Sequence, residues 1–172
     1  MITLNFRLLK ANEISCRVNQ INEKGLTLLL YKDARVDMDI LDETVGSMNW
    51  QREHKELKGN IYCGVSIYND KINQWVTKWD SGKESNTEAE KGESSDSFKR
   101  SCTNWGIGRS LYTSPFIYIP AEKTKIVKND KGKYITYDKF SIEKIVYNEQ
   151  EEISGISIIN QKKERVFVWQ KK

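Results

Sequence analysis

The chain has 172 residues, 38% of them apolar and 30% charged, with a formal net charge of +4. That length suits one domain, or one domain with an appendage, and five Trp with eight Tyr are too many aromatics for a disordered chain. No apolar run approaches the ~20 residues of a membrane span, and "MITLNFRLLKANEIS" lacks the pattern of a secretory signal. The expected setting is therefore the cytoplasm, with no membrane partner.

"EISCRVNQI" (13–21) alternates as a strand, "NEKG" (22–25) turns, and "LTLLLYK" (26–32) returns. "DARVDMDILDETVG" (33–46) changes period. Val36, Ile40, Leu41 and Val45 share one helical face, Asp33 caps the start and Gly46 ends it. The acids at 33, 37, 39, 42 and 43 are expected on the other face, in solvent. A meander follows: "SMNWQREHKEL" (47–57), "IYCGVSIY" (61–68) and "QWVTKWDS" (74–81), joined by turns rich in Gly, Asn and Asp. "GKESNTEAEKGESSDS" (82–97) reads as a loop running into a helix start, and the helix extends to about Trp105, where Gly106 and Gly108 end or bend it. "PFIYIP" (115–120) is a short strand suited to an edge. The rest holds a hairpin around Asn129–Lys131 and three strands, "SIEKIVYN", "ISGISIIN" and "RVFVW". The order ββ-α-βββ-α-β with a β-rich tail predicts an α+β fold, divided into a core at 1–120 and a C-terminal extension at 121–172 packed on the same domain.

Charge placement matters more than its sum. Residues 1–120 hold 16 basic and 16 acidic side chains, whereas residues 121–172 hold 12 and 8. A globally cationic sleeve for duplex DNA is not expected, so an anionic ligand needs a local groove. Cys16, Cys63 and Cys102 share no metal-ligand spacing, sit in apolar patterns, and read as buried reduced thiols. With one histidine, His54, and no G-x-x-x-x-G-K-S/T loop, neither metal nor nucleotide is expected as a cofactor.

Two constellations stand out. On the second helix, Phe98, Cys102 and Trp105 fall in one narrow sector, Lys99 borders it and Arg100 points nearly opposite, while Lys91 lies two turns earlier. Ser94, Ser95, Ser97 and Ser101 are small enough to let another backbone approach, which suits a phosphodiester chain. The plainer reading makes Lys99 and Arg100 a solvated edge paired with Asp96 or Glu93. In the meander, Arg52, Lys55 and Lys78 interleave with Trp50, Trp75 and Trp79, the combination that single-stranded nucleic acid requires. Alternation sets Trp75, Thr77 and Trp79 on one face and Val76 with Lys78 on the other. A nuclease alternative rests on Glu53-His54-Lys55 with Asp39 or Asp42, a common spacing whose acids fall on a predicted helix.

"YKDARVDMDILDETVGSMNWQ", "KGNIYCGVSIY" and "ESNTEAEKGESSDSFKRSCTNWGIGRSLY" together resemble the single-strand annealing proteins of the Rad52 type, in particular their short phage and prophage relatives. The resemblance covers residues ~26–120. It implies a β-β-β-α core with a long helix on a curved antiparallel sheet, assembly into rings, and single-stranded DNA in a basic groove at the rim. It assigns Lys99, Arg100 and Lys91 to that groove; Arg52, Lys78, Lys83 and Arg109 are added from charge and placement. Where relatives carry a further basic residue, this chain has Thr103.

The expected function is single-stranded DNA binding and annealing in recombination and repair, without metal or ATP and without covalent catalysis. The expected partners are single-stranded DNA, further copies of the chain in a ring or filament, and host or phage replication and repair proteins. The alternative of another class is a β-rich interaction protein that binds a replication or repair partner without annealing.

Overall fold

The computed structural model describes residues 4–82 and 89–171. In chain order the elements are β1 (Ile14–Asn22), β2 (Gly25–Lys32), α1 (Ala34–Val45), β3 (Trp50–Leu57), β4 (Asn60–Asn69), β5 (Gln74–Ser81) and α2 (Ala89–Trp105). They continue with β6 (Ile117–Pro120), β7 (Ile126–Lys128), β8 (Tyr134–Thr136), β9 (Phe140–Tyr147), β10 (Ile153–Asn160) and β11 (Arg165–Gln170). These elements divide between two compact units, one from Met1–Leu8 and Lys32–Arg109, the other from Leu9–Tyr31 and Ser110–Lys172. Among the described residues, no helix is long and apolar enough to cross a membrane.

The first unit is built on an antiparallel sheet ordered β3-β4-β5. Its register runs unbroken from Trp50↔Ile67 to Leu57↔Asn60 and from Tyr62↔Ser81 to Asn69↔Gln74. Alternation therefore sends Trp50, Arg52 and His54, Cys63, Val65 and Ile67, and Val76, Lys78 and Asp80 to one face. Helix α2 lies on that face. Phe98 and Cys102 are fully buried, Phe98 stacks on Trp50 at 6.2 Å between ring centroids, and the Trp105 indole N–H donates to the Val65 carbonyl at 2.9 Å. The apolar stripe read from the helical period is thus the packing stripe.

The approach of α2 to the sheet is close because the side chains between them are small. Ser97 and Ser101 are fully buried, and Ser101 Oγ donates to the Lys78 carbonyl at 2.6 Å while accepting from the Val65 N–H at 3.2 Å. At Gly82 a Cβ would stand 2.1 Å from the Glu93 carbonyl oxygen, so no other residue fits without moving α2. Ser97 and Ser101 were expected to admit a phosphodiester chain. They instead admit the protein's own sheet, because their azimuth on α2 falls beside Phe98 and Cys102 on the buried side.

Helix α1 begins as its sequence predicts, with the Asp33 carboxylate accepting the Arg35 N–H at 2.9 Å, and ends at Gly46 with φ +83°. It packs on α2 and buries Ile40 and Leu41 completely. The expectation of an acidic solvent face fails at one position. Asp37 is fully buried, one turn before Ile40 and Leu41 and on their face, and it pairs with Lys32 at the end of β2. Counting all five acids as one run hid the position whose 3- and 4-residue spacing matches the core.

In the second unit six strands form a sheet in the order β11-β10-β9-β1-β2-β6. Leu26 faces Ile119 and Leu28 faces Ile117 across β2 and β6, and Ile158 sits between Ile142 and Phe167. Strands β6 and β11, the two ends of that order, approach each other, so the sheet curls on itself around buried Leu26, Leu28, Ile117, Ile119, Ile158 and Val166. β7 and β8 pair separately as the hairpin expected at Asn129. The chain is α+β with antiparallel sheets, as predicted, but the β-β-β-α arrangement consists of β3, β4, β5 and α2. The early hairpin β1–β2 belongs to the other sheet, beside strands of the C-terminal segment. Periodicity identifies a strand and its buried face but carries no information on a distant partner such as β9 for β1.

Candidate nucleic-acid interface

Lys99 and Arg100 are both half-exposed on the middle of α2, and the helix sends them in different directions. Lys99 lies toward the start of α1. There the Asp33 carboxyl is held below the usual carboxylate range, chiefly by its hydrogen bond from the Arg35 side chain, with Lys99 adding to the effect by its charge. Arg35 Nε is 3.0 Å from Asp33 Oδ1, and its side chain is 83% exposed. Arg35 is a cation that the sequence reading passed over. The available signal was its place two residues after a helix cap, which fixes it at the open end of α1.

Arg100 reaches β5, where its Nε lies 3.2 Å from Asp80 Oδ1, and the Asn104 amide donates to the other Asp80 oxygen at 3.2 Å. Glu93, one of the acids offered as a local partner, is instead buried and accepts the Ile61 N–H at 2.7 Å. Exposed and part-exposed ion pairs of this kind contribute about 0–1 kcal/mol. Arg100 is thus held by a weak, part-exposed pair.

The other cations divide by role. Lys78 Nζ donates to the Asn104 carbonyl at 2.9 Å and sits 4.5 Å above the Trp105 ring, and Arg109 donates to the Thr103 and Asn104 carbonyls, both at 3.0 Å. Together they cover carbonyls at the C-terminal end of α2, where the helix dipole favours positive charge. Arg52 lies over the Phe98 ring, 4.8 Å from its centroid, on the face of the sheet that carries α2. Thr103 turns its hydroxyl back to the Lys99 carbonyl at 3.0 Å, so this position serves the turn that bears Lys99. Lys91 falls in the first turns of α2 with its side chain outside the described residues, and Lys83 lies outside them altogether.

The opposite face of the three-stranded sheet carries Trp75 and Trp79, 43% and 37% exposed, with Lys55 Nζ 4.8 Å from the Trp79 ring centroid. Glu53 shares this face and lies 3.3 Å from Lys55, whereas His54 points the other way and meets Ser94. Asp42 accepts the Trp50 indole N–H at 2.6 Å. The residues of the nuclease alternative are thus dispersed over two faces and a helix. Among the described residues no three His, Cys, Asp or Glu side chains gather as metal ligands would. Burial pushes the Cys63 thiol up to about 11 and Cys16 to about 12, and raises Cys102 as well, which keeps them as thiols.

Comparison with known proteins yields one family. A model described as Rad52/22 family double-strand break repair protein matches residues 6–133. Neither a curated protein nor a solved structure matches the chain.

Proposed function

The chain belongs to the Rad52/22 family of double-strand break repair proteins, the match spanning well over half of its length, and from that premise we propose that it binds single-stranded DNA and anneals complementary strands. The observation that carries the reading is the adjacent pair Lys99 and Arg100, half-exposed on a helix whose other sides are fixed by the sheet and by α1, with Arg35 and Lys99 both near Asp33. Asp33 pairs with Arg35 and Asp80 with Arg100. A phosphate replaces such a carboxylate at little cost, since both partners are charged acceptors and the existing pairs are weak.

The mechanism needs no covalent step. Cations fix the phosphates and extend the backbone, the bases remain accessible, and pairing with a second strand supplies the driving force without ATP or a metal ion. Self-association into a ring or filament multiplies each local pair into a continuous track, which reconciles a near-neutral first 120 residues with DNA binding. Lys91, Arg52, Lys78, Lys83 and Arg109 complete the proposed groove, with replication or repair proteins as further partners in the cytoplasm.

The test is annealing of two complementary oligonucleotides in EDTA. Strand pairing under these conditions supports the reading. Absence of DNA binding refutes it in favour of an interaction protein, and magnesium-dependent degradation refutes it in favour of a nuclease.

A further inference from the structure

Lys32 closes β2 with its side chain 5% exposed, and its ammonium donates to Oδ1 of the fully buried Asp37 on α1. The same ammonium lies 3.4 Å from the backbone carbonyl oxygen of Lys99 on α2, which also accepts the Thr103 hydroxyl at 3.0 Å. The second Asp37 oxygen is buried with no hydrogen-bond partner among the described residues. Ile40, Leu41 and Cys102, all fully buried, share this interior.

A pair of this kind is a poor stabiliser. Removing both charges from water costs several kcal/mol per ion, and an orphaned carboxylate oxygen leaves part of that cost uncompensated. Burial accordingly pushes the Asp37 carboxyl up to about 6, against the lowering influence of Lys32 and Lys99. Two apolar side chains of similar volume would fill the space at least as well. What they would not do is tie α1 and α2 together through one atom, the ammonium nitrogen of Lys32.

We propose that Lys32 and Asp37 are positioning residues for single-strand binding, fixing the turn of α2 that carries Lys99 and thereby the direction in which Lys99 meets a phosphate. This rests on the DNA-binding reading above. Its physical basis is preorganisation: a lysine whose backbone is pinned loses less freedom when it engages a phosphate than one on a turn able to shift.

The experiment compares the full chain with three variants: Lys32→Met with Asp37→Leu, Lys99→Ala alone, and the three substitutions together. Affinity for a thymidine oligonucleotide is measured by anisotropy across a salt series, and folding by circular dichroism and thermal melting. The double variant is expected to fold and melt at or above the native temperature while binding roughly tenfold more weakly, with a salt slope reduced by about 0.7, the share of one phosphate contact. The triple variant is expected to bind no more weakly than Lys99→Ala. Native affinity and slope in the double variant overturn the proposal, as does a loss that adds in full to that of Lys99→Ala. A double variant that does not fold also overturns it, because the pair is then a requirement of the fold. If Lys99→Ala itself binds as the native chain does, the interface reading falls and takes the positioning role with it, whereas a failure confined to the double variant leaves the interface standing.

Discussion

At the scale of single residues, the two cations of α2 and the buried acid of α1 make opposite demands on their surroundings. Lys99 and Arg100 keep exchangeable carboxylate neighbours, so removing both is expected to change binding and leave the fold intact. Lys99→Ala with Arg100→Ala should weaken single-strand affinity by about a hundredfold, at roughly 1.5 kcal/mol per charged contact, and lower the salt slope by about 1.4. Melting temperature and oligomer size should stay native, and unchanged affinity would remove both residues from the interface. Asp37 acts on stability instead. Burial pushes its carboxyl up to about 6 from the ordinary 3.8, so the folded state holds this proton more tightly than the unfolded one. This site therefore adds stability as pH falls through 6 toward 4, by at most about 3 kcal/mol, and the contribution is lost as pH rises above 6. Lys32, Lys99 and Asp33 are the charged groups that modulate it. The margin by which the Lys32→Met, Asp37→Leu variant outmelts the native chain should therefore shrink by a few degrees from pH 7 to pH 5. A difference independent of pH would assign Asp37 an ordinary carboxyl.

At the scale of elements, α2 is seated by small residues rather than by large ones. Gly82 and Ser101 are contact points where the sheet and the helix touch through backbone or a single hydroxyl. Gly82→Val should cost about 1–3 kcal/mol, the range for an overpacked site, because its Cβ meets the Glu93 carbonyl. Ser101→Ala should cost a similar amount by leaving the Val65 N–H and the Lys78 carbonyl without the hydroxyl that bridges them. Urea titration reads both, and a midpoint within error of native for either variant would show that α2 adjusts freely on its sheet. The far end of α2 is fixed differently, by Lys78 and Arg109 on its last carbonyls. Their charge is legible in the sequence, but the carbonyls they meet are not, because those contacts depend on how the end of α2 folds back on β5.

At the scale of the whole molecule, the C-terminal strands complete a sheet begun near the N-terminus. β9 pairs with β1, β10 with β9 and β11 with β10, so a chain ending at residue 120 would leave β1 without that neighbour and uncover side chains such as Leu26 and Ile119. Deleting residues 121–172 is expected to yield insoluble or partly unfolded protein, checked by solubility and circular dichroism. A soluble, folded fragment with native DNA binding would show that β9–β11 are dispensable. Light scattering with and without single-stranded DNA tests self-association at the same scale. The proposed ring or filament requires a mass several times that of one chain, and a monomer under both conditions would dismiss it.

Local spacing along the chain set the elements and the apolar residues of their buried faces. The 3.6-residue spacing of Phe98, Cys102 and Trp105, the cap at Asp33, the stop at Gly46 and the alternation through 74–81 are local rules, satisfied within a few residues of chain. The sequence also marked Lys99 and Arg100, because adjacent cations beside an apolar stripe are visible as letters. Only the tertiary structure decided what depends on distant neighbours: that β1 pairs with β9, that the serines of α2 serve a sheet, that Arg100 meets Asp80 across twenty residues of sequence, and that Asp37 is interior. Burial and pairing are properties of contacts between segments far apart in the chain, and a helical or alternating period constrains one segment at a time.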